Sequence, residues 1–382
     1  MKVKSIKIYL LLSLIVIYSL FYNKYIAFNL TNYKETITLA FLIIIAFTSY
    51  KLFGYKRDKF NDVKRSILIT EIILLVGFFA VYYGLGLKMG FVYPQTLVDK
   101  NIINTIILAS IIVVGEIGRY LIIKADKEDI INNILFIGAF SLLEIVFVTS
   151  KMMVTNYEEL FKITAQYYIP ITVKNYTLNY LVRYGGFRVT VPFNLIFSLY
   201  MYVLPFIPDV GEFLSAISKL TVPMLLSIAS FRIVDESING IEYDFKQNMF
   251  KKSDALNIIL IGIVACIISG QFRFHLIGIG SESMSPKIQK GDAVLLDKQK
   301  VKKDLKIGTI VAYNRNGKLI IHRISKIVKK DNKKYYVTKG DANNSDDNVQ
   351  LANKDIVGVV LFKIKFIGYP SVFLSENFKH PV

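Results

Sequence analysis

The stretch ALNIILIGIVACIISGQFRFHLIGIGSESMSPKIQKGD, residues 255–292, changes character part-way along, and that change divides the chain. Residues 255–272 are almost wholly apolar, close to the roughly 20 residues that a helix rising 1.5 Å per residue needs to cross a bilayer core. The residues beyond 276 are polar and loop-like, with three serines, Ser281, Ser283 and Ser285, inside five positions. A membrane-length helix therefore leads directly into a region of different architecture.

Upstream, further apolar blocks lie at 5–22, 35–54, 67–86, 102–123, 129–150, 190–207 and 213–234. Composition agrees with a membrane protein: 53% of the 382 residues are hydrophobic and 20% charged, and mean hydropathy is +0.44. Lys+Arg outnumber Asp+Glu by 47 to 29, a formal +18. That excess lies mainly in short loops between apolar blocks and in the last hundred or so residues, so membrane orientation and anionic lipid headgroups explain it and nucleic acid is not called for. The single cysteine, Cys266, excludes an intrachain disulfide and a cysteine-based metal site. No cofactor is implied.

The basic start MKVKSIK and the basic loop 55–65 both read as cytoplasmic, as two crossings between them require. Eight crossings would put Lys251 and Lys252 on the wrong side, whereas seven put them inside and residues 273 onward outside. Either 190–207 or 213–234 is then expected not to cross: Pro192, Pro205 and Pro208 interrupt that region, and because proline removes a donor that lipid cannot replace, a re-entrant or interfacial segment is expected there. A cleaved leader at 1–22 is disfavoured, since no small-residue cleavage site comes after it. The expected organisation is a membrane region of six or seven apolar helices at 1–254, a spanning helix at 255–272, a small extracytoplasmic all-β domain at 273–370 and a tail at 371–382.

The β assignment rests on period-two segments broken by turns: AVLLD, TIVAYN, KLIIHRISKIV, KYYVTKGD and DIVGVVLFKIKF. Asn316-Gly317 between two of them predicts a hairpin turn.

A serine in a polar turn is ordinary until a base is available to activate it. Of the three histidines, His275 comes after the last apolar block, His380 is near the end, and only His322 sits mid-strand, sharing a face with Ile320 and Ile324. Local pattern alone favours a half-buried core histidine. An imidazole is also the natural base for serine near neutral pH. Carboxylates to orient it are present in TKGDANNSDDN, as Asp341, Asp346 and Asp347, although taken locally the segment reads first as an Asx-capped turn or a weak calcium loop.

Taken together, SESMSP, IIHRI, TKGDANNSDD and DIVGVVLFKIKFIGY resemble the type I signal peptidases, specifically the endoplasmic-reticulum and archaeal branch, in which histidine stands where common bacterial enzymes have lysine. The resemblance covers about the last 120 residues. It implies Ser283 as nucleophile, His322 as general base, and Ser281 as the hydroxyl that joins the Ser283 N–H in an oxyanion hole. The essential aspartate maps onto Asp341 or onto Asp347, with spacing favouring Asp347. It further implies a serine endopeptidase that removes signal peptides from secreted or surface precursors bound as an added β-strand.

Ordinary members have one or two spans, so the first 250 or so residues lie outside the resemblance. Glu71, Glu116, Arg119 and Glu144 stand in apolar blocks there, where ionisable groups are costly. Glu116 and Arg119, three apart, suit pairing on one helix face. Two rival readings are an inactive peptidase-like module that binds apolar segments and a multi-span transporter with a β-domain cap. The high Lys, Ile and Asn content points to an AT-rich bacterial genome, and the expected location is a bacterial cell membrane with the β domain outside.

Overall fold

A computed structural model describes residues 2–30, 33–56, 61–93, 102–126, 129–150, 152, 154, 157–239, 263, 266–302, 305–315, 318–330, 333–369 and 372. The chain divides into two compact units, Met1–Lys252 and Ser253–Val382.

The first unit is helical: α1 (Lys2–Phe21), α2 (Lys34–Phe53), α3 (Asn61–Met89), α4 (Ile102–Ile123), α5 (Ile130–Thr149), α6 (Tyr157–Ile163), α7 (Ile169–Gly185), α8 (Phe187–Val203) and α9 (Gly211–Asn239). Among the described residues six helices are long and apolar enough to cross a membrane. Helix α3 shows why such a unit suits lipid. Ile69, Ile72, Ile73 and Val76, spaced as one helical face, point outward, while Ile67, Thr70, Glu71 and Leu75 are buried. The polar groups face the bundle, and the outward face carries branched aliphatics.

Two departures from the sequence expectation concern this unit. Pro192 does not interrupt the 190–207 block: α8 runs through it as a helix of 17 residues. The break comes at Leu204, which is extended (φ −79°, ψ 134°) as the residue before Pro205 must be. The larger departure is the helical run Tyr157–Gly185, which joins α6 to α7 through a π-helical segment, Thr164–Tyr168. Hydropathy does not reveal it because α7 buries Lys174, Asn175, Thr177 and Asn179. At its end Gly186 (φ 78°) is the one residue between α7 and α8, and its N–H reaches the carbonyls of Leu181 and Val182. Only glycine takes that conformation cheaply, so the two helices can turn abruptly. A small two-stranded sheet pairs β1 (Phe91–Val92) with β2 (Ile207–Pro208).

The block expected at 255–272, the turn at 316–317, Lys251, Lys252 and the tail at 371–382 lie largely or wholly outside the described residues. The described part of the second unit is a seven-stranded antiparallel sheet of β3 (Phe274–Gly278), β4 (Ala293–Asp297), β5 (Ile310–Arg315), β6 (Lys318–Lys330), β7 (Lys333–Lys339), β8 (Gln350–Ala352) and β9 (Ile356–Ile364), in the order β3-β4-β9-β5-β6-β7-β8. Strands β3 and β8 form its two edges. Alternation along β5 sends Val311 and Tyr313 into one apolar cluster, with Ile324, Tyr336 and Val359. Ala312 goes to another, with Met284, Ile288, Val294 and Ile321.

Candidate active site

The β5–β6 pairing fixes the site's first element. Its register runs from Arg315↔Lys318 to Ile310↔Arg323 and sets His322 opposite Val311. His322 is 7% exposed, so its two ring nitrogens meet protein groups. Nδ1 lies 2.6 Å from Asp347 Oδ2, and Nε2 lies 3.2 Å from Ser283 Oγ. With a carboxylate against Nδ1 the ring proton belongs on that side, which leaves Nε2 as an acceptor facing the serine hydroxyl.

Ser283 stands in the turn between β3 and β4. Its neighbour Met284 and the nearby Ile288, each 2% exposed, sink into the core and anchor the turn. The Ser285 N–H donates to the Glu282 carbonyl and the Ile288 N–H to the Met284 carbonyl, both at 2.9 Å. The loop is therefore held by packing and local hydrogen bonds, more ordered than its composition suggests. Ser281 Oγ lies 3.4 Å from Ser283 Oγ.

The two candidate aspartates have different partners. Asp347 Oδ2 accepts from the Thr338 hydroxyl at 2.7 Å and the Tyr313 hydroxyl at 3.1 Å as well as facing His322. The Asp347 N–H donates to the Thr338 carbonyl at 2.7 Å, tying the loop to the end of β7. Burial, with the charge of Asp347 adding to it, raises the Tyr313 hydroxyl above its ordinary range, so it remains a donor. Asp341 is taken by Arg323, whose Nε and Nη2 reach its two oxygens at 2.8 and 2.6 Å. Those hydrogen bonds hold the Asp341 carboxyl below the usual aspartate range. Arg323 also donates to the Gly308 carbonyl at 2.8 Å, so this pair clips three segments together beside the histidine.

The remaining groups lie elsewhere. Asp346 pairs with Lys326 at 2.9 Å. Because the three acidic residues of this loop have separate partners, they do not converge as calcium ligands, and no group of three His, Cys, Asp or Glu able to hold a metal occurs among the described residues. His275 is on edge strand β3, paired with Leu296, and His380 is outside the described residues.

Sequence reasoning passed over Tyr313, Thr338 and Gly340. The usable signal for Tyr313 was alternation, since it shares a face with Val311, the partner of His322. Gly340 has no pattern signal at all. A Cβ there would stand 2.6 Å from the Ser283 carbonyl oxygen.

No protein-family profile matches the chain. Among curated proteins it is similar to signal peptidase complex catalytic subunits named SEC11. The identity is 38% over 106 residues with that of Metarhizium acridum and 38% over 106 residues with that of Pyricularia oryzae. With that of Yarrowia lipolytica it is 37% over 112 residues. Each alignment takes in 25% to 27% of this chain, and the chain spans 62% to 64% of the relatives' length. These relatives overturn one expectation: they come from fungi, which conflicts with a bacterial cell-membrane location, and that location does not stand. What the chain shares with them is a stretch of about a hundred residues similar to the catalytic subunit of a signal peptidase complex.

Proposed function

We propose that the chain is a membrane-attached serine endopeptidase that removes signal peptides from precursor proteins. The observation that carries this reading is the continuous contact from Ser283 Oγ to His322 Nε2 at 3.2 Å and from His322 Nδ1 to Asp347 Oδ2 at 2.6 Å. In the proposed mechanism His322 takes the Ser283 proton as the hydroxyl attacks the scissile carbonyl, and Asp347 holds the ring and stabilises the imidazolium. The oxyanion rests on the Ser283 N–H and the Ser281 hydroxyl. His322 then protonates the leaving amine, and water delivered through the same base releases the acyl group.

The apolar helices support membrane attachment, which suits precursors that are themselves tethered by an apolar segment, because confinement to one bilayer raises their effective concentration. The relatives are named as subunits of a complex, and partner subunits for this chain belong to the same proposal. The test is cleavage of a tethered model precursor in proteoliposomes by the full chain and its Ser283→Ala and His322→Ala variants. A product with a new N-terminus, made by the wild type and lost in both folded variants, supports the reading. Equal cleavage by wild type and Ser283→Ala refutes it.

A further inference from the structure

The helical unit contains a cavity of about 170 Å³ whose wall combines leucine and isoleucine side chains with a cluster of charges. Nothing in the proposed peptidase chemistry uses it. The charges come from three helices. From α4, Arg119 donates to Asn179 Oδ1 at 2.5 Å and Asn175 Oδ1 at 2.6 Å, with its guanidinium 4.3 Å from the centre of the Phe140 ring. From α5, Glu144 accepts from Lys174 Nζ at 2.5 Å and Asn175 Nδ2 at 2.9 Å. Lys174, on α7, also donates to Asn194 Oδ1 at 3.2 Å and Ser198 Oγ at 3.0 Å.

Among the described residues, two groups that line the cavity are left incomplete, Arg119 at Nε, which faces Glu116 Oε1, and Glu116 itself. Glu116 is 2% exposed and borders the cavity. Its Oε1 accepts from Asn194 Nδ2 at 2.9 Å and lies 3.4 Å from Arg119 Nε. Its Oε2, equally buried, has no hydrogen-bond partner among the described residues. A buried carboxylate oxygen without a donor is costly, and this one borders space large enough for a small molecule.

The charge balance selects the molecule. Glu116 and Glu144 offset Arg119 and Lys174, so a charged ligand would leave a net charge in a low-dielectric site, while a neutral donor completes Oε2 without one. Leu42, Leu108, Ile112 and Leu143 supply an apolar wall. The volume is close to the roughly 150 Å³ at which an engineered apolar cavity takes benzene. We infer that this cavity binds a small uncharged amphiphile, which donates a hydroxyl or amide hydrogen to Glu116 Oε2 and lays a short apolar body against these leucines.

The experiment uses the full chain in lipid nanodiscs, with empty nanodiscs as background, and titrates two isomers, hexan-1-ol and 1-methoxypentane, by saturation-transfer NMR. The alcohol donates a hydrogen and the ether cannot. Saturable binding of hexan-1-ol, about tenfold or more tighter than the ether, is the expected result. Hexylammonium and hexanoate should not rise above background. In Glu116→Gln, Asn194 keeps the amide oxygen on the Oε1 side, the amide NH2 faces the cavity, and the preference for alcohol over ether collapses. Leu143→Trp fills the space and abolishes both. Equal binding of the isomers by wild type, preference for hexylammonium, or no saturable binding overturns the proposal, the last meaning that the cavity holds water only. The comparison of isomers on wild type decides the matter even where a variant fails to fold.

Discussion

The carbonyl oxygen of Ser283 accepts a hydrogen bond from the N–H of Ala342 at 3.0 Å, so the serine turn is fastened through its own backbone to the loop that carries both aspartates. The fastening depends on Gly340, where an added Cβ would stand 2.6 Å from that same carbonyl oxygen and 2.8 Å from Asn343 Nδ2. Gly340→Ala must therefore push the two loops apart. The expected outcome is a fall in kcat of about a hundredfold, the scale on which small misplacements act, with the sheet intact. Precursor cleavage and circular dichroism on the same preparation check it, and unchanged kcat would show that the contact does not position Ser283.

The partners of the two aspartates predict a separation of effects. Asp347→Asn removes the charge against His322 Nδ1 and favours the wrong tautomer, for which a loss of roughly 10⁴ in kcat is expected. Asp341→Asn acts on stability instead. A carboxyl held low by Arg323 takes up its proton at lower pH in the folded chain than in the unfolded one. Its stabilisation is present in full above the unfolded aspartate value of about 3.9 and is lost as the pH falls through the folded value. Asp341→Asn should then lower the melting temperature at pH 7 and flatten its decline in acid below about pH 4. Equal loss of kcat in the two variants would contradict the assignment.

Tyr313 and Thr338 touch Asp347 and not the proposed reacting atoms, so they act as positioning residues. Tyr313→Phe and Thr338→Val each delete one donor to Oδ2. Each should reduce kcat about threefold to tenfold, the worth of one hydrogen bond, with KM unchanged. The double variant should lose more than the product of the two, because neither hydroxyl is then left to fix the carboxylate. A change confined to KM would place them in substrate binding instead.

The β unit was more legible than the helical one, for physical reasons. Segments such as KLIIHRISKIV and DIVGVVLFKIKF have one strong period, and their strands emerge as Lys318–Lys330 and Ile356–Ile364. Edge strands β3 and β8 escaped notice because half-buried or very short segments have a weak pattern. In the helical unit hydropathy tracks residues that face lipid. It misses α7, whose Lys174 and Asn175 are satisfied by Glu144 and Asn194 on other helices, contacts that no local window contains. Pro192 lies inside α8 without ending it, although it removes one donor from the helix's own hydrogen-bond ladder. At the site, the motifs identified Ser283 and His322 as candidates, but the pairing of Arg323 with Asp341 became visible only once β6 and the loop after β7 were brought together.

Glu71 poses the sharpest test of why the helical unit carries buried acids. It lies on the inward face of α3, 2% exposed, and its Oε1 has no hydrogen-bond partner among the described residues. It differs from Glu144, which is answered by Lys174. A buried carboxyl that is not answered opposes folding, whereas an apolar side chain of similar volume does not. Glu71→Met should therefore raise stability by about 1 kcal/mol or more, seen as a higher melting temperature in detergent. Glu144→Met should lower it, because Lys174 is left buried without its carboxylate. Stabilisation by the first together with loss of a measurable function would mean that Glu71 is kept for chemistry. Destabilisation would mean that its carboxylate is held after all, through the other oxygen.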